Sequence, residues 1–430
     1  MAVDAREHTS SWYAATRHIA TDYPVLHGEH RCDVAVVGAG FSGVSASLFL
    51  AERGYDIALI EANRVGWGAS GRNGGQLIGG FSDPAKFEKR FGSSAAGIVR
   101  RMGLECRDIL VERINHYRID CDLKFGYLDV AARGRPAELR ALEAQLEDCE
   151  RHDYPHAMRL IRGQELADWV RSGHYEAGLS NAGNGHLHPL NLCIGEARAA
   201  SQLGARIFER TRVTRIQHGA RPVVETEHGT IFANKVILAG NAYLRNTEPR
   251  LRNAVFPAGS YMLATEPLSE QQVQNVLPAD VACCEQQIAL NYFRLSPDKR
   301  LLFGGMCNYS GRRPADIAAA LRPRLARIFP VLANVGVDYQ WGGDIAISIN
   351  RIPQFGRIQG NTYYVQGYSG HGVAPTHLAG KMLADVVCGD AEQFDLFARV
   401  RHLRIPGGKW FGSPMLALGM SYFRLRELLG

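Results

Sequence analysis

The chain has 430 residues, 46% hydrophobic and 21% charged, a composition typical of a globular protein with two domains. The net charge of +6 is modest and the Lys and Arg residues are scattered, which argues against a nucleic-acid partner. The sequence shows neither a secretion signal nor a run of about 18 apolar residues that could span a membrane, so we expect a cytoplasmic protein.

The nine cysteines stand singly, apart from Cys283 and Cys284, and none has the spacing of a metal site. The odd number predicts free thiols in a reducing compartment, and we expect no metal. A redox dithiol and a second dinucleotide motif are both missing from the sequence, which argues against a disulfide reductase.

Residues 1–30 read as an arm whose aromatic residues pack on the body of the protein. Residues 33–37 then read as a buried strand and 41–53 as a helix. Between them Gly38, Gly40 and Gly43 follow the spacing G-x-G-x-x-G. The first glycine makes a tight turn, the second admits a pyrophosphate and the third lets the helix pack on the strand. This arrangement predicts a dinucleotide site.

The residues that follow distinguish between two dinucleotides. Glu61 ends the next strand, where its carboxylate can accept both ribose hydroxyls of an adenosine. The segment 64–76 is a second glycine-rich run, in which Ser70, Arg72 and Asn73 can donate to phosphate or to a polar ring edge. A nicotinamide enzyme does not need this second run, whereas a flavin enzyme can use it to wrap FAD.

Hydrophobic periodicity predicts the remaining elements in chain order. We expect helices over 88–118, 138–151, 191–202, 270–277, 316–329 and 376–388, and strands over 126–130, 205–208, 213–216, 223–226, 230–232, 261–265, 288–305 and 363–366.

In these motifs the sequence resembles the FAD-dependent oxidoreductases of the D-amino-acid oxidase and glycine/sarcosine oxidase superfamily. It is most similar to the branch that contains gamma-glutamylputrescine oxidase and the bacterial L-pipecolate oxidases. The resemblance extends from about residue 12 to 429 and is carried by 38–43 with Glu61, 68–76, 236–242, 292–298 with 301–305, and 365–372.

The resemblance implies an α/β fold, α+β overall. A Rossmann-like FAD-binding domain with a parallel sheet would be interleaved with a substrate domain on a mixed, largely antiparallel sheet. After the arm at 1–30, we assign 31–90, 186–255 and 345–430 to the FAD-binding domain, and 91–185 and 256–344 to the substrate domain.

The resemblance also implies which residues bind FAD, with the backbone of Val213 holding the adenine and the loop 366–372 wrapping the flavin ring. The cofactor is expected to be non-covalent, because tethering members have a cysteine where this chain has Ile347, Ser348 and Ile349. The expected FAD-binding residues are Gly38, Gly40, Phe41, Ser42, Gly43, Glu61, Ala62, Gly68, Ala69, Ser70, Arg72, Asn73, Gly74, Gly75, Gln76, Val213, Asn241, Gly367, Ser369, Gly370, His371, Gly372 and Val373.

Several residues are candidates for substrate binding and catalysis. His371 either acts beside the flavin or only bonds to backbone within its loop. Arg294 and Arg351 are candidates on the substrate side. Arg351 stands between apolar residues that indicate partial burial, and it pairs either with a substrate carboxylate or with an acid such as Asp344.

Tyr261, Tyr292 and Trp341 either line an apolar pocket with polar tips or belong to the plain core. Hydride transfer from a neutral amine requires desolvation and alignment rather than a catalytic base.

The implied function is oxidation of the C–N bond of a secondary amine or amino acid, like gamma-glutamylputrescine or L-pipecolate, to an imine. No lysine matches the one that activates oxygen in sarcosine-oxidase-like members, so oxygen and another acceptor both stay open. One alternative is an amino-acid dehydrogenase that feeds quinone and touches the membrane through the apolar C-terminal stretch, 409–430. Others are a nicotinamide-dependent dehydrogenase and a non-catalytic flavin-binding protein. The oligomeric state is not predicted.

Overall fold

The computed structural model describes residues 6–244, 247–287, 290–308 and 313–404. Their strands are β1 (Gly28–Val37), β2 (Ile57–Ile60), β3 (Gln76–Leu77), β4 (Lys124–Ala132), β5 (Met158–Arg162), β6 (Tyr175–His186), β7 (Arg206–Phe208), β8 (Val213–Gln217), β9 (Val223–Thr226), β10 (Gly229–Leu238), β11 (Phe256–Thr265), β12 (Ala282–Glu285), β13 (Tyr292–Leu295), β14 (Leu301–Asn308), β15 (Val337–Ile347), β16 (Gln354–Ile358) and β17 (Thr362–Gln366). Their α-helices are α1 (Trp12–Ala15), α2 (Phe41–Glu52), α3 (Pro84–Phe91), α4 (Ser93–His116), α5 (Pro136–Arg151), α6 (Pro189–Gln202), α7 (Glu270–Gln274), α8 (Ile317–Ile328), α9 (Pro375–Cys388) and α10 (Glu392–Ala398).

The first sheet is built around β1, which pairs in parallel with β10 on one side and β2 on the other. Its strand order is β16-β17-β10-β1-β2-β7, and a hairpin-like extension adds β9 to β10 and β8 to β9. The last residues of β1 and all of β2 are buried apolar residues, as expected of parallel strands covered on both faces.

Helix α2 packs on β1 and β2 of this sheet and is flanked by α6 and α9. Nearly every residue of α2 is buried, since the helix lies between the sheet and its two neighbours. A Cβ at Gly380 of α9 would lie 2.4 Å from Ser45 Oγ of α2, so this glycine allows the close approach of the two helices.

The second sheet follows the order β15-β11-β14-β13-β12-β4-β6-β3, with β5 added at β6. Its pairs are antiparallel except for the parallel pair of β4 and β12. One parallel-cored sheet and one mixed, largely antiparallel sheet confirm the predicted fold class. The segments of the two sheets alternate along the chain, and the exact domain boundaries stay a prediction.

Some elements differ from those predicted. The single helix expected over 88–118 is two helices, because Gly92 has a φ of +88° and ends α3. Strands β3, β5, β6, β12, β15 and β16 were not predicted. The apolar C-terminal stretch 409–430 lies outside the described residues.

All nine cysteines are free thiols, as predicted. In the described part of the chain, no helix combines the length and the apolar character that a membrane crossing requires.

Candidate active site

The turn between β1 and α2 leaves no room for side chains at its glycines. Gly38 has a φ of +104°, which only glycine adopts readily. A Cβ at Gly43 would lie 1.9 Å from the carbonyl oxygen of Gly38, so α2 packs directly on the turn. Gly40 is the N-cap of α2 and borders a cavity. The positive end of the helix dipole therefore faces that cavity.

This first cavity has a volume of about 710 Å³ and lies where β1, β2 and β10 end. Ligands of open α/β sheets bind at this position, beyond the carboxyl ends of parallel strands. Of the residues expected to bind FAD, its walls include Gly38, Gly40, Phe41, Ser42, Glu61, Ala62, Gly68, Ala69, Ser70, Asn73, Val213, Asn241, Ser369, Gly370, Gly372 and Val373.

The other expected FAD-binding residues do not line this cavity. Gly43, Gly75 and Gly367 stand outside its lining, so a role for them is to shape the backbone. The remaining four, Arg72, Gly74, Gln76 and His371, line a second cavity instead.

Glu61 occupies the end of β2 and borders the first cavity. Its two carboxylate oxygens accept the backbone N–H groups of Ala39 and Asn63, each at 2.9 Å. Burial raises the pKa of Glu61, while these two N–H groups and the nearby Arg212 act in the opposite direction. A carboxylate has about four acceptor sites, so Glu61 retains the capacity to accept ribose hydroxyls.

The glycine-rich loop after Glu61 is held in shape by its own polar side chains. The Arg72 guanidinium donates to the carbonyls of Trp67 at 2.8 Å and Gly342 at 3.0 Å, and it stacks over the Trp67 ring. Trp341 Nε1 donates to the Arg72 carbonyl at 3.0 Å, and Asn73 Nδ2 donates to two carbonyls of the same loop. Two of the five N–H donors of Arg72 and both N–H donors of Asn73 thus fold the loop against β15, and a contact of these side chains with the cofactor stays a prediction.

Ser70 connects this loop to the first glycine turn. Its Oγ accepts the backbone N–H of Phe41 at 2.9 Å, at the first position of α2. The Ser70 hydroxyl proton is still available to a ligand in the cavity, as the sequence predicts.

The C-terminal glycine loop reaches the same cavity from the opposite side. Gly367 has a φ of +83° and donates its N–H to Asn241 Oδ1 at 2.9 Å. Ser369 and Gly370 also have positive φ values, of 57° and 92°, before the chain enters α9. The structure thus brings three segments that are distant in sequence to one cavity.

The second cavity measures about 290 Å³ and adjoins the first. The two cavities share wall residues and are therefore direct neighbours. The shared residues are Ala69, Asn73, Ile345, Ser369, Gly370, Gly372 and Val373.

Two of the predicted substrate residues line the second cavity. Tyr292 borders it, and its hydroxyl lies 3.3 Å from Ser260 Oγ. Arg351 borders it as well, but the side chain is exposed rather than partly buried, and its backbone has a φ of +60°. Asp344, the alternative partner expected for Arg351, pairs with Arg313 at 3.3 Å.

Arg294 and Tyr261 do not line this cavity, and their role as substrate contacts stays a prediction. Arg294 is 2% exposed, and its guanidinium donates to the carbonyls of Gly74 at 2.9 Å and Leu187 at 2.8 Å. These bonds join β13 to the glycine-rich loop. Tyr261 is also 2% exposed and packs in the core of the second sheet.

His371 lies on the wall of the second cavity. Its Nε2 is 2.9 Å from the Gly80 carbonyl oxygen. A carbonyl only accepts, so Nε2 carries the proton and Nδ1 keeps its lone pair. The side chain is exposed where it meets the cavity, but the protein atoms packed around the ring desolvate it and so lower the pKa of His371. The ring is therefore neutral at pH 7 and both of its predicted roles stay open.

Sequence reasoning missed residues in both walls. In the first cavity these include Thr211, Arg212, Tyr243 and Tyr368. In the second they include Ile78, Ser260, Cys284, Leu290, Met306, Cys307, Ile345 and Ile347. The alternation of side chains between the two faces of β14 and β15 could have identified several residues of the second cavity. Which face meets the cavity, however, depends on strand pairing, which the sequence does not show.

Comparison with known proteins agrees with this geometry. Residues 33–386 match the DAO family model, described as FAD dependent oxidoreductase. The chain is 43% identical over 426 residues to a gamma-glutamylputrescine oxidoreductase of Escherichia coli (strain K12), with 99% of each chain covered. It is 36% identical over 428 residues to a probable oxidoreductase OrdL of Haemophilus influenzae, with 98% of each covered.

Two solved structures share the fold. Glycine oxidase from Geobacillus kaustophilus has a TM-score of 0.73 at 22% identity, over 87% of this chain and 100% of that one. L-proline dehydrogenase from P. horikoshii has a TM-score of 0.71 at 20% identity, over 86% and 98%. The expected superfamily and the expected FAD cofactor are confirmed by the family match. The chain belongs to the DAO family of FAD dependent oxidoreductases.

Proposed function

We propose that the protein oxidises the C–N bond of a secondary amine or amino acid, of the gamma-glutamylputrescine or L-pipecolate kind, to an imine. The relative at 43% identity is named a gamma-glutamylputrescine oxidoreductase. The observation that carries the proposal is the second cavity, which adjoins the FAD cavity and combines apolar walls with the Arg351 side chain.

The first cavity fits FAD in its shape and in its chemistry. The turn at Gly38–Gly43 has no space for added Cβ atoms at Gly38 and Gly43, and Gly40 opens it toward the cavity for a pyrophosphate. Glu61 would accept the adenosine ribose, and the backbone of Val213 would hold the adenine. FAD bound there without a covalent bond would supply a ring able to accept a hydride from the carbon beside the amine nitrogen.

The second cavity would select and orient the amine. Arg351 would pair with a carboxylate of the substrate, and the planar guanidinium fork would fix its direction. The residues shared by the two cavities would bring the reacting carbon to their boundary. Alignment of this kind lowers the barrier without any charged catalyst.

The walls also favour the neutral form of the amine, which is the form that can become an imine. Of the described residues that line the second cavity, none is an Asp or Glu, so a bound ammonium would find no carboxylate there. Without such a partner, burial shifts an amine toward its uncharged state. The Nδ1 lone pair of His371 can accept a hydrogen bond from the amine N–H and so turn the nitrogen toward the shared wall.

Anaerobic titration of the holoprotein tests the proposal. We expect gamma-glutamylputrescine or L-pipecolate to bleach the absorption band of bound FAD, and putrescine, which has no carboxylate, to bleach it far less well. Readmission of air then measures whether oxygen is the acceptor. FAD that no amine or amino acid of the panel bleaches would contradict the proposed oxidation and favour a non-catalytic flavin protein.

A nicotinamide-dependent dehydrogenase, the alternative function, is no longer favoured. It required the 68–76 loop to be open to solvent, and none of these residues is exposed. The family is also FAD dependent.

A further inference from the structure

A cluster of three charged side chains lies buried behind the wall shared by the two cavities. Arg113 of α4, Glu196 of α6 and His377 of α9 form it, and we name it the inner trio. Glu196 and His377 are both 0% exposed, with His377 Nε2 3.2 Å from the carboxylate. Arg113 Nη1 lies 3.3 Å from Glu196 Oε1 and donates to Ser45 Oγ of α2 at 2.9 Å. The inner trio therefore joins the four helices around the site.

Both ring nitrogens of His377 face oxygen atoms. Nδ1 lies 2.7 Å from the Val373 carbonyl oxygen, which can only accept a hydrogen bond. Nε2 faces Glu196. Although burial opposes ionisation, the His377 ring and the Arg113 guanidinium hold the pKa of Glu196 below its usual value. Because Arg113 contacts the same carboxylate, both ring nitrogens of His377 face acceptors, which is the hydrogen-bond pattern of a doubly protonated, positively charged ring.

The Val373 carbonyl, which His377 contacts through Nδ1, belongs to the cofactor site. Val373 lines both cavities, and the Thr376 hydroxyl, which lies 2.7 Å from the Gly372 carbonyl oxygen, is also 3.0 Å from that of Val373. On its other side, the His377 ring packs against Phe41, which lines the first cavity, with ring centroids 5.2 Å apart. His377 thus contacts two residues that line the cavities, Val373 and Phe41.

We propose that His377 is a positioning residue for the FAD site, which fixes the Val373 carbonyl and places a positive charge behind the wall that the two cavities share. One guanidinium and one imidazolium against one carboxylate leave the inner trio with a net positive charge. FAD gains electrons on reduction, and a fixed positive charge nearby stabilises the charge that develops. The inference rests on the binding of FAD and not on the amine substrate, so a wrong substrate assignment would leave it intact.

The chain contains a matched control. Arg250, Glu248 and His218 form a second cluster of the same composition, the outer trio. His218 Nε2 is 2.8 Å from Glu248, and Arg250 Nε is 2.7 Å from the same carboxylate. His218 Nδ1 faces Thr362 Oγ1 at 3.0 Å, a hydroxyl that can donate as well as accept. The histidine and glutamate are buried, but no member of the outer trio lines either cavity.

The test compares His377→Gln with His218→Gln in the FAD-loaded protein. The measured quantity is the reduction potential of bound FAD, by equilibration with a reference dye, together with FAD content and thermal stability. We expect His377→Gln to lower the ratio of reduced to oxidised FAD about tenfold at a given potential, which is a shift of about 30 mV for a two-electron couple. We expect His218→Gln to leave the potential unchanged, although both variants lose some stability.

An unchanged potential in FAD-loaded His377→Gln, with a stability loss like that of the control, would overturn the inference and leave a merely structural role. If His377→Gln does not fold, a measurement on the wild-type protein still tests the inference. Nitrogen NMR of the histidine-labelled holoprotein should show protons on both ring nitrogens of His377, with one of them lost in Glu196→Gln. A singly protonated ring in the wild type would refute the inference.

Discussion

The two cavities differ in what their walls are made of. The first is walled largely by backbone turns, such as Gly38–Gly43 and the loop that begins at Gly367, each set by glycines close together in sequence. The second is walled by side chains from separate strands, such as Tyr292 of β13 and Ile345 of β15. Cofactor binding is therefore encoded in short segments, whereas substrate binding arises only when the second sheet has assembled.

The largest effect is expected where a backbone wall tolerates no side chain. Gly43→Ala would place a Cβ 1.9 Å from the Gly38 carbonyl oxygen, and the clash is with backbone, which cannot rotate away. Overpacking of this kind costs about 1–3 kcal/mol or more. We expect purified Gly43→Ala to lose most of its FAD and to melt at a lower temperature.

Gly173→Ala is the matched control for this substitution, since a Cβ there meets nothing within 4 Å. It should keep wild-type FAD content. Full FAD content and an unchanged melting temperature in Gly43→Ala would refute the assignment of the turn.

A smaller loss is expected at Glu61. Glu61→Ala removes the acceptor of two backbone N–H groups and of the expected ribose hydroxyls. Hydrogen bonds to a charged group contribute about 1.5–3 kcal/mol each. We expect the Kd for FAD, measured by fluorescence titration of the apoprotein, to rise by at least about tenfold. Glu61→Gln retains one acceptor oxygen, so its Kd for FAD should lie between those of the wild type and Glu61→Ala. Equal affinity for FAD in all three proteins would contradict the role of Glu61.

In the side-chain wall, Arg351→Lys keeps the charge but loses the planar fork. The loss should be about 1–3 kcal/mol of substrate binding, seen as weaker saturation of FAD reduction. FAD content should not change, and a substrate without a carboxylate should not sense the substitution. Arg313→Lys, which alters a pair with Asp344 off the cavity, is the control. A lower melting temperature with unchanged substrate affinity would instead make Arg351 structural.

Tyr292→Phe should have a modest effect. It removes the hydroxyl that lies 3.3 Å from Ser260 Oγ on the cavity wall, a contact worth about 0.5–1.5 kcal/mol. We expect KM to rise by about two- to tenfold, with little change in FAD content. Tyr261→Phe, at a residue outside the cavity lining, should leave KM unchanged. A raised KM in Tyr261→Phe with an unchanged KM in Tyr292→Phe would instead place the substrate beside Tyr261.

The smallest effect concerns pH. The pKa of His371 is lowered by burial, so the folded protein keeps the ring neutral where an unfolded histidine, with a pKa of about 6.5, takes up a proton. The contribution of His371 to the free energy of unfolding therefore decreases as the pH falls below that value. We expect His371→Gln to flatten this decrease in urea unfolding measured at pH 7 and pH 5. An equal decrease in both proteins would show that His371 does not contribute.

The difference between the backbone wall of the first cavity and the side-chain wall of the second also explains which features the sequence could predict. The glycine spacing, Glu61 and the loop 366–372 were found because each is a local pattern with a local geometric cause. Strand β6 was missed because its Asn- and Gly-rich residues are typical of a loop, yet pairing with β4 and β5 on both sides makes it a strand. The bonds of Arg294 to the Gly74 and Leu187 carbonyls could not be predicted, because these segments meet β13 only in the folded chain.

The contact of the glycine-rich loop with β15 has a thermodynamic consequence. Arg72 donates to Gly342 and Trp341 donates back to Arg72, so the loop that borders the FAD cavity is bonded to the second sheet. A ligand that binds only the folded protein stabilises it in proportion to the logarithm of ligand concentration over Kd. Supply of FAD in the cell therefore sets not only the active fraction of the protein but also how firmly its two sheets hold together, and so how long each copy survives unfolding and degradation.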